Sequence, residues 1–198
     1  MHQVLAESFE EADRLDDAAK ECLEAIQLRP GEPGLHQMLG EIYWKQNNLE
    51  KAEAEFQNEL QRDPDNSTAL FKLASVSLER SKPEVAAELL GKVLNAHPES
   101  REAHYQLGRA DAELGKTDAA IREFSAAAKG EGPVSTDTLR QSYYQLAQLY
   151  RRAQRLEESK MAMGEFARLK QQADLEQEQK LADKLKRSTL KTSTEPQQ

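Results

Sequence analysis

The chain has a single cysteine, Cys22, a single tryptophan, Trp44, and no long apolar run. One cysteine excludes an intrachain disulfide and a cysteine metal cluster. No stretch approaches the ~20 consecutive apolar residues that a membrane-spanning helix needs. Positive charge is also short: 27 Lys and Arg face 35 Asp and Glu, a formal charge of −8 in 198 residues, the wrong sign for a nucleic-acid footprint. Signatures of catalysis are missing too, since no HExxH, phosphate loop or Ser/His/Asp grouping occurs. The abundant carboxylates, such as Glu50, Glu53 and Glu55, fall on charged helix faces where solvation accounts for them. The expectation is a chain that is not an enzyme and uses no cofactor or metal.

What is present is a period. Leu5, Leu39, Leu73 and Leu107 stand 34 residues apart, each followed by Ala or Gly. Pro30, Pro64 and Pro98 keep the same interval, as do Ala18, Ala52, Ala86 and Ala120. A fixed period of this length marks a repeat array. Within the copy Pro33 to Asn66, Leu39, Gly40, Ile42 and Tyr43 share one face at 3.6-residue spacing. Leu49, Ala52, Phe56 and Leu60 share another, and Gln46-Asn47-Asn48 breaks the two helices apart. Pro83 suits the first turn of a later helix, where a missing N–H costs nothing.

These residues resemble the tetratricopeptide repeat, whose pattern is met by His36, Leu39-Gly40, Tyr43, Ala52, Phe56 and Pro64 and broken where Glu59 replaces a small residue. The resemblance implies an all-α fold, a right-handed superhelical solenoid of antiparallel helix pairs with a concave groove. It divides the chain into a partial first repeat at 1–32, repeats at 33–66, 67–100 and 101–134, an inserted loop at 135–139, and a last repeat at 140–173. A C-terminal helix extension is expected over 174–187 and a disordered tail over 188–198. Leu181 and Leu185 lie four apart, too few heptads to read as a coiled coil. Met1 falls at the third position of its repeat, so a fragment of a longer array is expected. The compartment stays open: cytoplasmic if Met1 is the true start, exported or periplasmic if a leader precedes it.

Cys22 occupies the place of Phe56 and is expected to be buried. His2, His36 and His104 share one repeat position, which points to packing at a helix seam. The family's concave stripe, carried onto this chain, gives a partner-binding groove of Gln37, Glu41, Trp44, Phe71, Ser75, Tyr105, Arg109, Tyr144, Gln148 and Arg151. Its four aromatics are expected to be exposed and to mark an interaction site. The basic clamp by which some relatives hold a C-terminal carboxylate is absent, because Gln37, Glu41, Ser75, Glu102 and Gln106 stand at the comparable places. Two functions are expected. One is a scaffold holding a protein or peptide in the groove, within an assembly or biogenesis complex. The other is a structural segment of a longer protein that self-associates through its exposed ends.

Overall fold

The computed structural model describes residues 2–131 and 134–192. Among them are ten helices and no strand: α1 (His2–Glu11), α2 (Leu15–Leu28), α3 (Leu35–Lys45), α4 (Leu49–Arg62), α5 (Ser67–Glu79), α6 (Pro83–Ala96), α7 (Arg101–Glu113), α8 (Thr117–Lys129), α9 (Thr136–Arg152) and α10 (Leu156–Thr192). Each helix packs on the next, and in addition α3 touches α5, α5 touches α7 and α7 touches α9. The odd-numbered helices therefore form one inner layer of a helical solenoid, with the even-numbered helices behind them.

Four of the helices start where a side chain answers one of their first N–H groups, while α2, α6 and α8 have no such cap. Asn48, Asn66, Ser100 and Ser135 accept from the backbone N–H of Lys51, Ala69, Ala103 and Thr138. Helix α3 begins at Gly34, which has no side chain to offer. There Glu59, only 1% exposed, supplies the acceptors instead: its carboxylate receives Gly34 N–H at 2.8 Å and Gln37 N–H at 3.3 Å. The residue that breaks the family pattern is thus the cap for a helix that lacks one.

Every turn within a pair is built alike. Asp13, Asn47, Ser81, Gly115 and Gln154 all have φ between 55° and 73°. The following N–H bonds five residues back, as in Asn48 to Tyr43 O and Lys116 to Asp111 O, both at 2.8 Å. This left-handed helix stop is cheapest for Gly or Asn, yet three of the five turns use another residue.

Across the first four pairs, side-chain sizes compensate. A Cβ added to Gly40 would meet the Phe56 ring at 2.9 Å, and one added to Gly108 would meet Phe124 at 2.9 Å. Where the first position is Ala74 or Ala6, the second is the smaller Leu90 or Cys22, and all four of these second residues, Phe56, Phe124, Leu90 and Cys22, are fully buried. Burial, aided by Glu10, Glu7 and Glu21, pushes the Cys22 thiol up to about 12, so it is held as an unreactive thiol.

The repeated histidines lie on the seam between the helices of a pair. Nδ1 of His2, His36 and His104 donates to Glu21, Glu55 and Glu123 at 2.7, 2.6 and 2.7 Å. In the third pair Leu70 and Leu89 hold these two places, both buried. Asp111, at the position of Tyr43, is 7% exposed; burial raises its carboxyl pKa, and Lys116, 3.6 Å away, partly offsets this.

Two expected boundaries differ from the structure. Thr136 to Leu139, expected in a loop, form the first turn of α9, because Ser135 caps the helix and Asp137 suits its positive end. Helix α10 runs on to Thr192, so residues 188–192 are helical, there being no proline or glycine between Gly164 and Pro196 to stop it. The remainder of the expected tail, 193–198, lies outside the described residues.

Candidate protein-binding surface

The ten groove positions fall on the inner helices: Gln37, Glu41 and Trp44 on α3, Phe71 and Ser75 on α5, Tyr105 and Arg109 on α7, and Tyr144, Gln148 and Arg151 on α9. Because successive inner helices touch, their stripes adjoin, and side chains stitch them together. Gln37 donates to Glu41 at 3.2 Å. Glu41 lies 3.6 Å from Lys72, whose Nζ sits 5.6 Å from the centre of the Trp44 ring. The Trp44 indole N–H donates across to Glu79 at 2.8 Å. Between α5 and α7, Gln106 donates to Ser75 Oγ at 3.5 Å and accepts from Arg109 at 2.8 Å. Lys72, Glu79 and Gln106 were absent from the sequence-based set. They stand one step from the stripe, and only the adjacency of two inner helices brings them onto it.

The aromatics are less open than expected. Tyr144 alone is exposed, at 39%, with its ring 5.4 Å from that of Phe166. Trp44 and Phe71 are half-buried against the core of the first three pairs. Tyr105 stacks on Phe124 with centroids 5.7 Å apart, and burial raises its hydroxyl pKa against the opposing pull of Arg109. Ser75 is 2% exposed and turns its hydroxyl onto the carbonyl of Phe71 at 3.0 Å. Trp44 and Ser75 face the next inner helix, whose Lys72, Glu79 and Gln106 reach them, whereas Tyr105 and Tyr144 pack on the second helix of their own pair. Gln148 is half-buried, while Arg151 and its neighbour Arg152 are exposed and make the α9 end of the surface basic.

Phe71 forms one wall of an opening on this surface. It borders an open cavity of about 440 Å³ where α5 and α7 begin and α6 ends. Elsewhere, among the described residues, His2, Glu21 and Glu24 bring three metal-capable side chains within 4.8 Å of one another on the first pair, with His2 Nδ1 hydrogen-bonded to Glu21 at 2.7 Å. No helix among the described residues is long and apolar enough to cross a membrane.

Comparison with known proteins agrees with this architecture. Family profiles described as tetratricopeptide repeat match residues 9–75, 76–136 and 141–172. None of the curated proteins matches the chain. Among solved structures, MamA residues 41 to the end from Desulfovibrio magneticus RS-1 superposes with a TM-score of 0.78 at 16% identity, over 87% of this chain and 95% of that one. YrrB, described as a TPR protein with an unusual peptide-binding site, gives 0.71 at 17% identity, over 85% and 84%. MamA of AMB-1 gives 0.72 at 22%, over 86% and 98%. With the 34-residue period, the paired helices and the profile matches in agreement, the chain belongs to the tetratricopeptide repeat family.

Proposed function

We propose that this chain is a protein-interaction scaffold that seats a peptide or protein segment along the stripe on α3, α5, α7 and α9, within an assembly or biogenesis complex. The observation that carries this reading is the continuity of the stripe. Four successive inner helices each place an aromatic beside polar groups, and neighbouring helices hold those groups in fixed positions. Rigid aromatics flanked by hydrogen-bonding side chains are the composition of binding hot spots. The likeness in fold to YrrB, a repeat protein described as having a peptide-binding site, supports peptide binding as a use of this fold. The test is selection of random dodecamer peptides displayed on phage against the 198-residue chain, followed by affinity measurement on variants. Trp44→Ala and Tyr144→Ala are expected to weaken selected peptides tenfold or more while leaving helical content unchanged. Failure to enrich any peptide, or binding indifferent to both substitutions, would count against the groove.

A second reading, self-association through an end of the solenoid, has one observation in its favour. Val4 is 67% and Leu5 40% exposed on α1, whereas Leu39, the counterpart of Leu5, is fully buried. A mass by light scattering that rises with concentration in the parent chain, and not in Val4→Glu, would support it. A constant monomer mass would remove it.

A further inference from the structure

The cavity beside Phe71 has a register counterpart of about 360 Å³ in the fifth pair. That one is lined by Arg140, Gln141, Tyr144, Phe166 and Lys170 and carries the opposite charge; the repeat register shows how the third pair comes to differ. The floor and sides of the Phe71 cavity include Ser67, Phe71 and Val93, and its rim includes His97, Glu99 and Glu102. One period before Val93 stands Glu59, which turns its carboxylate under the start of α3. One period after Ser67 stands Arg101, whose guanidinium lies on the carbonyls of Ala127 and Ala128 at 2.8 and 2.9 Å. The second pair thus fills this place with a buried acid, and the fourth with an arginine. The third has the two smaller residues Ser67 and Val93, while Phe71 supplies an apolar wall where Gln37 stands one period earlier.

The rim decides what fits. Glu99 is exposed at the mouth, and Glu102, half-buried, accepts from the N–H of Ser135 at 3.2 Å. The starts of α5 and α7 also open here, with Asn66 and Ser100 capping their first turns, and the acidic side chains of the rim are Glu99, 4.0 Å from His97, and Glu102. An apolar floor under an acidic rim favours an apolar side chain flanked by a cation. We infer that the Phe71–Val93 cavity is a specificity pocket for a peptide that inserts one aliphatic or aromatic side chain next to a Lys or Arg held by Glu99 and Glu102. The inference rests on the proposed groove reading and narrows it to a partner of stated chemistry.

The closing experiment uses the same dodecamer library on the full chain and on two variants. Ser67→Arg fills the cavity by the device that the fourth pair already uses, so it is expected to fold. Glu99→Gln with Glu102→Gln removes the rim charge without changing shape. Selected peptides are expected to pair an apolar residue with an adjacent Lys or Arg. Their affinity should fall at least ~10-fold in Ser67→Arg, as for loss of a hot-spot contact. It should fall roughly 3- to 10-fold in the double glutamine variant, with a weaker dependence on salt. Circular dichroism and melting of each variant confirm that it is folded. Peptides lacking the basic neighbour, or peptides unaffected by Ser67→Arg yet weakened by Trp44→Ala or Tyr144→Ala, would overturn the pocket and leave the groove standing. Peptides unaffected by all of these substitutions, or no enriched peptide, would overturn the groove and the pocket together.

Discussion

The second and third helix pairs stand on the same 34-residue frame and fill it with opposite chemistry. In α3 and α4, His36 meets Glu55, Gly40 lies beneath Phe56, and Glu59 caps the start of its own partner helix. In α5 and α6, Leu70 and Leu89, Ala74 and Leu90, and Val93 hold the same places, and Asn66 provides the cap. The difference teaches that the repeat conserves pairs of positions rather than single residues. Charge is tolerated inside where its partner is present, and volume given up at one position is taken up at the other. Where the exchange is incomplete, at Ser67 and Val93, a cavity opens.

If that contrast is real, substitutions that split a pair should cost more than those that move a whole pair from one repeat to the other. The largest effect is expected for Glu59→Ala, which strands the part-buried N–H groups of Gly34 and Gln37 and should lower unfolding free energy by about 2–3 kcal/mol. Glu59→Gln keeps an acceptor and should lose less. Equal losses in urea unfolding would mean that the carboxylate does not act as the cap. Next comes the packing pair. Gly40→Ala drives a methyl group into Phe56 and should cost about 1–3 kcal/mol. Adding Phe56→Leu recreates the Ala74–Leu90 arrangement and should recover at least about 1 kcal/mol of coupling in a double-mutant cycle. Strictly additive effects would contradict the compensation.

A smaller loss is expected at the seam. His36→Leu or Glu55→Leu alone should destabilise by about 1–2 kcal/mol by leaving a part-buried partner behind. The double substitution, which copies Leu70 and Leu89, should come within about 1 kcal/mol of the parent chain, since a buried polar pair is replaceable by apolar groups of similar size. A double variant as unstable as the sum of the singles would show that the seam of the second pair cannot take the chemistry of the third.

Much of this frame was legible in the sequence, and the boundary of legibility is physical. The spacing of Leu39, Leu73 and Leu107 fixed the helix pairs because a buried stripe must recur with each stacked repeat. The shared position of His36 and His104 pointed to the seam, but Glu55 and Glu123 lie on a different helix and become partners only when the pair closes. For the same reason Glu59 registered only as a departure from pattern. The groove positions lie on the inner helices, whereas the burial of Ser75 and the partial cover of Trp44 depend on the neighbouring repeat and that of Tyr105 on Phe124 of its own pair. The start of α9 was within reach of the sequence, since Ser135 and Asp137 form an ordinary helix-opening signal.

The smallest effect concerns the fourth pair, where Asp111 stands at an aromatic position. Its carboxyl pKa is raised from 3.8 by burial, so the folded chain binds this proton more tightly than the unfolded chain does. The stability that it adds is fully present below 3.8 and is lost as pH rises through the raised folded value. Asp111→Asn should therefore gain on the parent chain at neutral pH, by about 0.5–1 kcal/mol given the nearby Lys116, and the gain should vanish in acid. A gain that stays constant down to pH 3, or a loss at neutral pH, would contradict the assignment.

The central claim is that the inner layer of the solenoid, and not its outer helices, receives a partner. Chemical-shift mapping of a selected dodecamer on the isotope-labelled 22.3 kDa chain tests it most directly. The account predicts saturable shifts at the stripe positions of α3, α5, α7 and α9, centred on Phe71 and including the Trp44 indole N–H, with α4, α6 and α8 unchanged on their outer faces. Shifts confined to those outer faces or to the C-terminal half of α10 would contradict it.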